Sequence, residues 1–462
     1  MANTASLISA PQGLWGNVRH VLALAIPVAL AELGWVSMNV VDTIMVGGLG
    51  PSAIGAIAIG GSAFYAFAIF GTGLLLGLDT LVAQAFGAGD REDCHRSLAT
   101  GISLALLLTP VLMLFFYVTP FFFQAIGINA DVSALAGNFI RALSLSTLPL
   151  LLYGAFRRYL QAIGHVRPVM FTLVSANLVN WLFNWLLIEG HWGLPALGVT
   201  GSALSTVMAR VYMAAVLAFC IWWFERRGGF ARTRFFRKPD GERLRLLLRL
   251  GLPAATQILL EIGAFGAAAL LAGRLAPVAL AAHQIAINVA SVSFMVPLGI
   301  GSAAAVTVGQ SVGRREPWIA RQHGFIALGI ASVFALCAAA LFLVMPRRIL
   351  QIYTEDKGVL QTGAILLIIA AGFQLFDAVQ TVATGALRGL GSTRIPMLVN
   401  LGGYWFFGLP VGYVLCFRFG YGVYGLWTGL TLALIVIALL LLYAWNRQSH
   451  RASQAQSGSL RE

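Results

Sequence analysis

Five carboxylates stand inside long apolar runs of this 462-residue chain: Glu32, Asp42, Asp79, Glu261 and Asp377. An ionised carboxylate at the centre of a bilayer costs about 2.5–3.5 kcal/mol on insertion scales, so each one needs a partner, a proton or a cation. Glu261, in QILLEIGAFGAAALLAG, and Asp377, in AAGFQLFDAVQTVATGALRG, have no neighbouring charge in sequence. They are read as sites for a cation or proton. The plainer alternative is an acid–base pair, or a protonated carboxyl hydrogen-bonded in a helix contact. Gly263 and Gly266 beside Glu261 allow a helix or ligand to come close.

Asp42 lies in SMNVVDTIMVGGLG, with Asn39 three residues before it on the same helical face. In SANLVNWLFNWLLIEG, Asn177, Asn180 and Asn184 recur at spacings of three and four and so form one polar stripe. Lipid does not tolerate such a stripe, which must face a neighbour or a cavity and serves either as inter-helix glue or as a site. Asp42 with several amides would make a proton-switched network. Glu32 points about 80° away from Asp42 on the same helix. Arg210, the one clear deep cation, is a candidate partner for it. Asp79 falls near the end of its run and reads as a solvated helix end.

Other chemistries find no support. GAGD at 87–90 lacks the GxxxxGK[ST] form of a phosphate loop. No Ser/His/Asp set or metal-ligand spacing occurs, and Cys94, Cys220, Cys337 and Cys416 are scattered packing residues. The chain is therefore expected to be neither an enzyme nor dependent on a cofactor. It encodes no nucleotide-binding domain, so any uphill transport draws on an ion gradient.

The elements that must hold these residues are legible from composition. The chain is 59% hydrophobic and 10% charged, against roughly 25% charged residues in soluble proteins. Breaks at Gly, Pro and charge delimit twelve spans, near 17–45, 53–85, 98–118, 134–156, 168–189, 199–224, 245–272, 278–309, 322–345, 359–385, 396–416 and 422–446. The first apolar stretch, Val21 to Met45, is too long for a cleaved signal. The formal charge of +13 suggests topology rather than nucleic acid. With the N-terminus inside, 23 of the 30 basic residues fall in inward segments and five in outward loops, while Arg141 and Arg210 lie within spans. That asymmetry places both termini in the cytoplasm.

A basic segment, 225–244, lies at the midpoint of the chain. It separates an N-terminal lobe, 1–224, from a C-terminal lobe, 245–446, with a cytoplasmic tail over 447–462. At an offset of 226, Pro27 meets Pro253, Gly47 meets Gly273, Pro51 meets Pro277, Gly73 meets Gly299 and Gln84 meets Gln310. Further matches follow at 227 (Gly164 with Gly391) and 224 (Trp181 with Trp405). The expected fold is an all-α integral membrane protein, two parallel six-helix repeats related by an axis along the membrane normal. Glu261 and Asp377 have no acidic counterpart in the first repeat, so they are not features of the repeat itself. Two such lobes suit a carrier that alternates access, while a channel's filter or charged ring is missing.

At these residues the chain resembles the multidrug and toxic compound extrusion (MATE) transporters, and it looks closest to the NorM-like branch. The resemblance is carried by IPVALAELGWVSMNVVDTIMVGGLG, LDTLVAQAFGAGD, LQAIGHVRPVM, NLVNWLFNWLLIEG with GLPALGVTGSA, LLEIGAF and FQLFDAVQ, and covers about residues 15–446. It implies a 6+6 fold with a V-shaped cleft in a bacterial inner membrane, exporting cationic amphiphilic drugs against Na⁺ or H⁺. Asp42 matches the family's first-lobe acid and Asn180 a polar partner. Glu261 and Asp377 match the second-lobe cation-binding acids. Asn177, Asn184, Glu32 and Phe373 are further cleft candidates. Phe373 stands where sodium-coupled relatives commonly carry tyrosine, a departure that weakens a direct assignment of Na⁺. Small cationic substrates and lipids are the expected partners, nucleic acid is not, and a monomer is expected. A flippase for a lipid-linked oligosaccharide is the rival on a related fold, but its anionic cargo calls for more deep cations than Arg210.

Overall fold

The computed structural model describes residues 13–125, 127–227 and 240–459, so residues 228–239 of the basic linker and the last three of the tail lie outside it. Among the described residues every regular element is helical, as a chain without water to satisfy its backbone must be. The order is α1 (Gly13–Gly47), α2 (Pro51–Leu74), α3 (Gly77–Gly87), α4 (Arg91–Ala125), α5 (Ala130–Ser144), α6 (Thr147–Ala162), α7 (Val166–Ile188) and α8 (Gly198–Arg227). It continues with α9 (Gly241–Ala272), α10 (Pro277–Gly313), α11 (Pro317–Val344), α12 (Pro346–Gln351), α13 (Lys357–Gly389), α14 (Arg394–Asn400), α15 (Leu409–Tyr413) and α16 (Gly422–Ser459). Eleven membrane-length apolar helices result, or twelve when α5 and α6, bent by 49°, count as one broken span. The segments flanking α15, Leu401–Gly408 and Val414–Arg418, are wound as π-helix.

The helices sort into two compact units. Among the described residues, one holds 30–86, 90–125, 127–227 and 240–255; the other holds 13–29, 87–89 and 256–459. Thus α1 passes from one unit to the other at Ala29, and α9 does so at Ala255. In the first unit, a Cβ on Gly73 would lie 2.7 Å from the Ala255 Cα. In the second, a Cβ on Gly299 would lie 2.6 Å from the Ala29 Cα. These are the same contact at an offset of 226, so the repeat extends to atomic packing. Glycine lets the two backbones touch where any side chain would hold them apart.

Within the second unit α13 packs on α10, α11 and α16, and its closest approach is to α10. A Cβ on Gly385 would sit 2.0 Å from the Gly301 carbonyl oxygen. Overpacking a closed interior costs about 1–3 kcal/mol even where side chains can adjust. Gly385→Val, which must displace backbone, should lower the melting temperature of the detergent-purified protein by several degrees; an unchanged melt would show that the two helices separate freely.

Candidate functional site

In the first unit the sequence brings α7 and α8 together through small residues. A Cβ on Gly201 would fall 2.4 Å from the Leu187 carbonyl oxygen, and Ser202 and Ser205 continue the same buried face. Close packing there carries Thr206 of α8 and two asparagines of α7 onto α1. The carboxylate of Asp42, 9% exposed, accepts three hydrogen bonds. Asn180 Nδ2 donates to Oδ1 at 3.0 Å and Asn184 Nδ2 to the same oxygen at 2.6 Å. Thr206 Oγ1 donates to Oδ2 at 3.1 Å. Asn184 Nδ2 also reaches Asn180 Oδ1 at 3.3 Å, so the amides are oriented by each other as well as by the acid. This shell can hold a carboxylate, and with two donors on Oδ1 and one on Oδ2 it leaves Oδ2 as the oxygen with room for a proton.

The stripe divides by function. Asn180 and Asn184 belong to the acid, whereas Asn177 Nδ2 donates to the carbonyls of Gly34 at 3.0 Å and Leu173 at 2.9 Å. It binds α7 to the backbone of α1. Asn39 is exposed and accepts from the Tyr65 hydroxyl at 3.1 Å.

Two expectations are corrected. Glu32 does not pair with Arg210: its Oε1 is held by Arg157 Nη2 on α6. Arg157, one residue past the span expected over 134–156, is a buried helical residue 7% exposed. Asp79 is no solvated helix end either. It is 1% exposed, and its Oδ2 accepts from Arg158 Nη1 at 3.3 Å. Adjacent arginines at 157 and 158 point about 100° apart on α6, which lets one helix serve acids on two others.

In the second unit Glu261 on α9 is partly buried, and its Oε1 accepts from Gln380 Nε2 at 3.3 Å. Gln257, one turn earlier, also bonds it. Gln380 in turn accepts from the buried Tyr404 hydroxyl at 3.0 Å. Asp377, three residues before Gln380 on α13, lies within the field of Glu261. Among the described residues it has no hydrogen-bond partner and no ion pair. Phe373 is 3% exposed and stacks on Trp427 with centroids 5.7 Å apart. The Trp427 indole N–H donates to His283 Nδ1 at 3.0 Å. Phe373 thus packs in the interior and brings no oxygen to the acids.

Spacing could have found Gln380, which shares a face with Asp377. Tyr404 was out of reach, because it sits in the π-wound segment where the 3.6-residue period does not apply. Thr206 was hidden among the small residues that make the α7–α8 contact. Among the described residues no cluster of three or more His, Cys, Asp or Glu could hold a metal ion.

Two acid centres, each inside one unit of a duplicated helical chain, are the setting for the comparisons. The MatE family model matches two stretches, residues 27–186 and 253–414. The chain belongs to the MatE family. Its match to MatE falls once on each repeat. The probable multidrug resistance protein NorM of Mesorhizobium japonicum is 35% identical over 454 residues, 96% of this chain and 97% of that protein. The multidrug resistance protein NorM of Burkholderia vietnamiensis is 36% identical over 452 residues, 95% of each. The eukaryotic MATE transporter AtDTX14 superposes with a TM-score of 0.85 at 24% identity, covering 96% of this chain and all of that one. An outward-facing MATE family transporter of the MOP superfamily gives 0.87 at 18% identity, over 98% and 99%. These two share the fold. The chain is thus a multi-pass MATE transporter of the NorM-like branch, not an enzyme, and its family's work is multidrug efflux.

Proposed function

We propose that this transporter exports cationic amphiphilic compounds across the bacterial cytoplasmic membrane in exchange for an inward-moving cation, Na⁺ or H⁺. Both termini lie in the cytoplasm and the working unit is a monomer among lipids. The observation that carries the reading is Asp377, a carboxylate within a membrane span, in the field of Glu261 and with no hydrogen-bond or ion-pair partner among the described residues. Like charges held together in low dielectric favour a proton or cation between them. Asp42, with Asn180 and Asn184 about it, is the proton-switched site of the other unit. Na⁺ at Glu261 and Asp377 is the alternative load to H⁺, with Phe373 supplying no extra ligand.

The coupling ion binds these acids from outside and favours release of drug outward. Its departure inward from Glu261 and Asp377 bares negative charge that attracts a lipophilic cation. Competition for one charge then couples the two flows by alternating access. The test is ethidium efflux from inverted vesicles carrying the chain, with a Na⁺ gradient or a pH gradient imposed separately. Efflux driven by one gradient identifies the ion. Failure with both gradients, in vesicles where the protein is correctly inserted, would overturn the reading and bring forward an amphiphile flippase.

A further inference from the structure

Arg210 of α8 is a cation deep in a span, 1% exposed, and among the described residues it has no carboxylate within ion-pair distance. Its Nη1 donates to Ser146 Oγ at 2.6 Å and its Nη2 reaches the Tyr65 hydroxyl at 3.5 Å. The guanidinium carbon lies 4.8 Å from the Phe64 ring centroid and 5.9 Å from those of Trp35 and Tyr65. Cation–π contacts of this kind contribute about 2 kcal/mol when desolvated, which does not offset several kcal/mol for burying a lone charge. Nε keeps no partner at all.

An acid at longer range fills the gap. Arg210 lies one turn beyond Thr206, whose hydroxyl holds Asp42, and the charges of Asp42 and Arg210 reach each other. Tyr65, which touches the guanidinium, also donates to Asn39, three residues before Asp42. The groups around Asp42 from other elements are the amides of α7, the Thr206 hydroxyl and, through Arg210, the Tyr65 phenol of α2. Among the described residues, Arg210 is the one charged group whose field bears on Asp42.

We propose that Arg210 is the fixed counter-ion of Asp42, so that protonation swings the first-unit site from neutral to positive rather than from negative to neutral. This rests on the reading of Asp42 as the proton-switched site. The consequence is exclusion. A lipophilic cation meets a neutral polar site when Asp42 is ionised and a repelling charge when it is protonated. Proton and drug are then kept from occupying the unit together, which is what strict exchange requires. The aromatic cage holds the arginine out of reach of any cargo, so it acts through Asp42 and is a positioning residue.

The test follows the Asp42 carboxyl by infrared titration of the purified protein, its band identified by its absence in Asp42→Asn. Arg210→Met should raise the titration midpoint, the direction that follows from removing an opposite charge. Arg210→Lys should restore it, and Tyr65→Phe, which alters the cage but not the charge, should leave it in place. A cycle on melting temperature gives an independent reading. Asp42→Asn leaves a lone buried guanidinium and should destabilise, and Arg210→Met added to it should recover part of the loss. An unmoved midpoint with additive melting effects overturns the counter-ion. Efflux whose pH dependence survives in Asp42→Asn instead overturns the reading of Asp42 itself.

Discussion

Glu32→Gln should be among the most destabilising single substitutions in the first unit, lowering stability by about 3–5 kcal/mol, the cost of leaving one member of a buried ion pair alone. Arg157 is 7% exposed, and its surroundings on α1 and α6 include Trp35 and Tyr153, whose rings stack at 6.2 Å. Among the described residues its Nε already lacks a hydrogen-bond partner. The neutral amide can still accept one hydrogen bond but cannot answer the charge. Joint replacement, Glu32→Met with Arg157→Met, removes both costs and should melt closer to the parent than either single change. Thermal unfolding of the four proteins in one detergent checks this. Parent-like melting of Glu32→Gln would mean that the pair holds nothing together.

Asp377→Asn should have the opposite profile, with stability kept and transport lost. The side chain makes no hydrogen bond and no ion pair among the described residues, so the amide breaks no contact, and it removes repulsion from Glu261. Melting should stay level or rise slightly. Gradient-driven ethidium efflux should fall at least about tenfold, because the site loses the charge that both ion and drug compete for; a tenfold loss corresponds to about 1.4 kcal/mol. Full export by a well-inserted Asp377→Asn protein would remove this residue from the mechanism.

The contrast between the two acids also shows what the sequence could and could not disclose. An acid inside an apolar run is conspicuous, so Asp42, Glu261 and Asp377 stood out at once. The span pattern was equally plain, since lipid permits few alternatives to apolar helix. Which partner each acid takes depends on helix rotation and neighbour choice, which one chain's pattern does not encode. Hence Glu32 was linked to Arg210 while Arg157, one residue past its apolar run, was passed over. Asn177 and Asn184 looked alike at seven residues' spacing, two turns apart on one face. Only packing separates them, one reaching the Gly34 carbonyl and the other Asp42.

The contact of Gly73 with Ala255, mirrored by Gly299 with Ala29, bears on how the chain is made. Each unit is completed by a stretch that synthesis delivers with the other half: residues 241–255 close the first, and residues 13–29 close the second. The first unit therefore stays unfinished until the ribosome has passed Ala255. Residues 13–29, made well before 256–459, wait for those later residues as their final neighbours. Assembly is committed late, and a chain truncated near its midpoint leaves the Gly73 face of the first unit open to lipid.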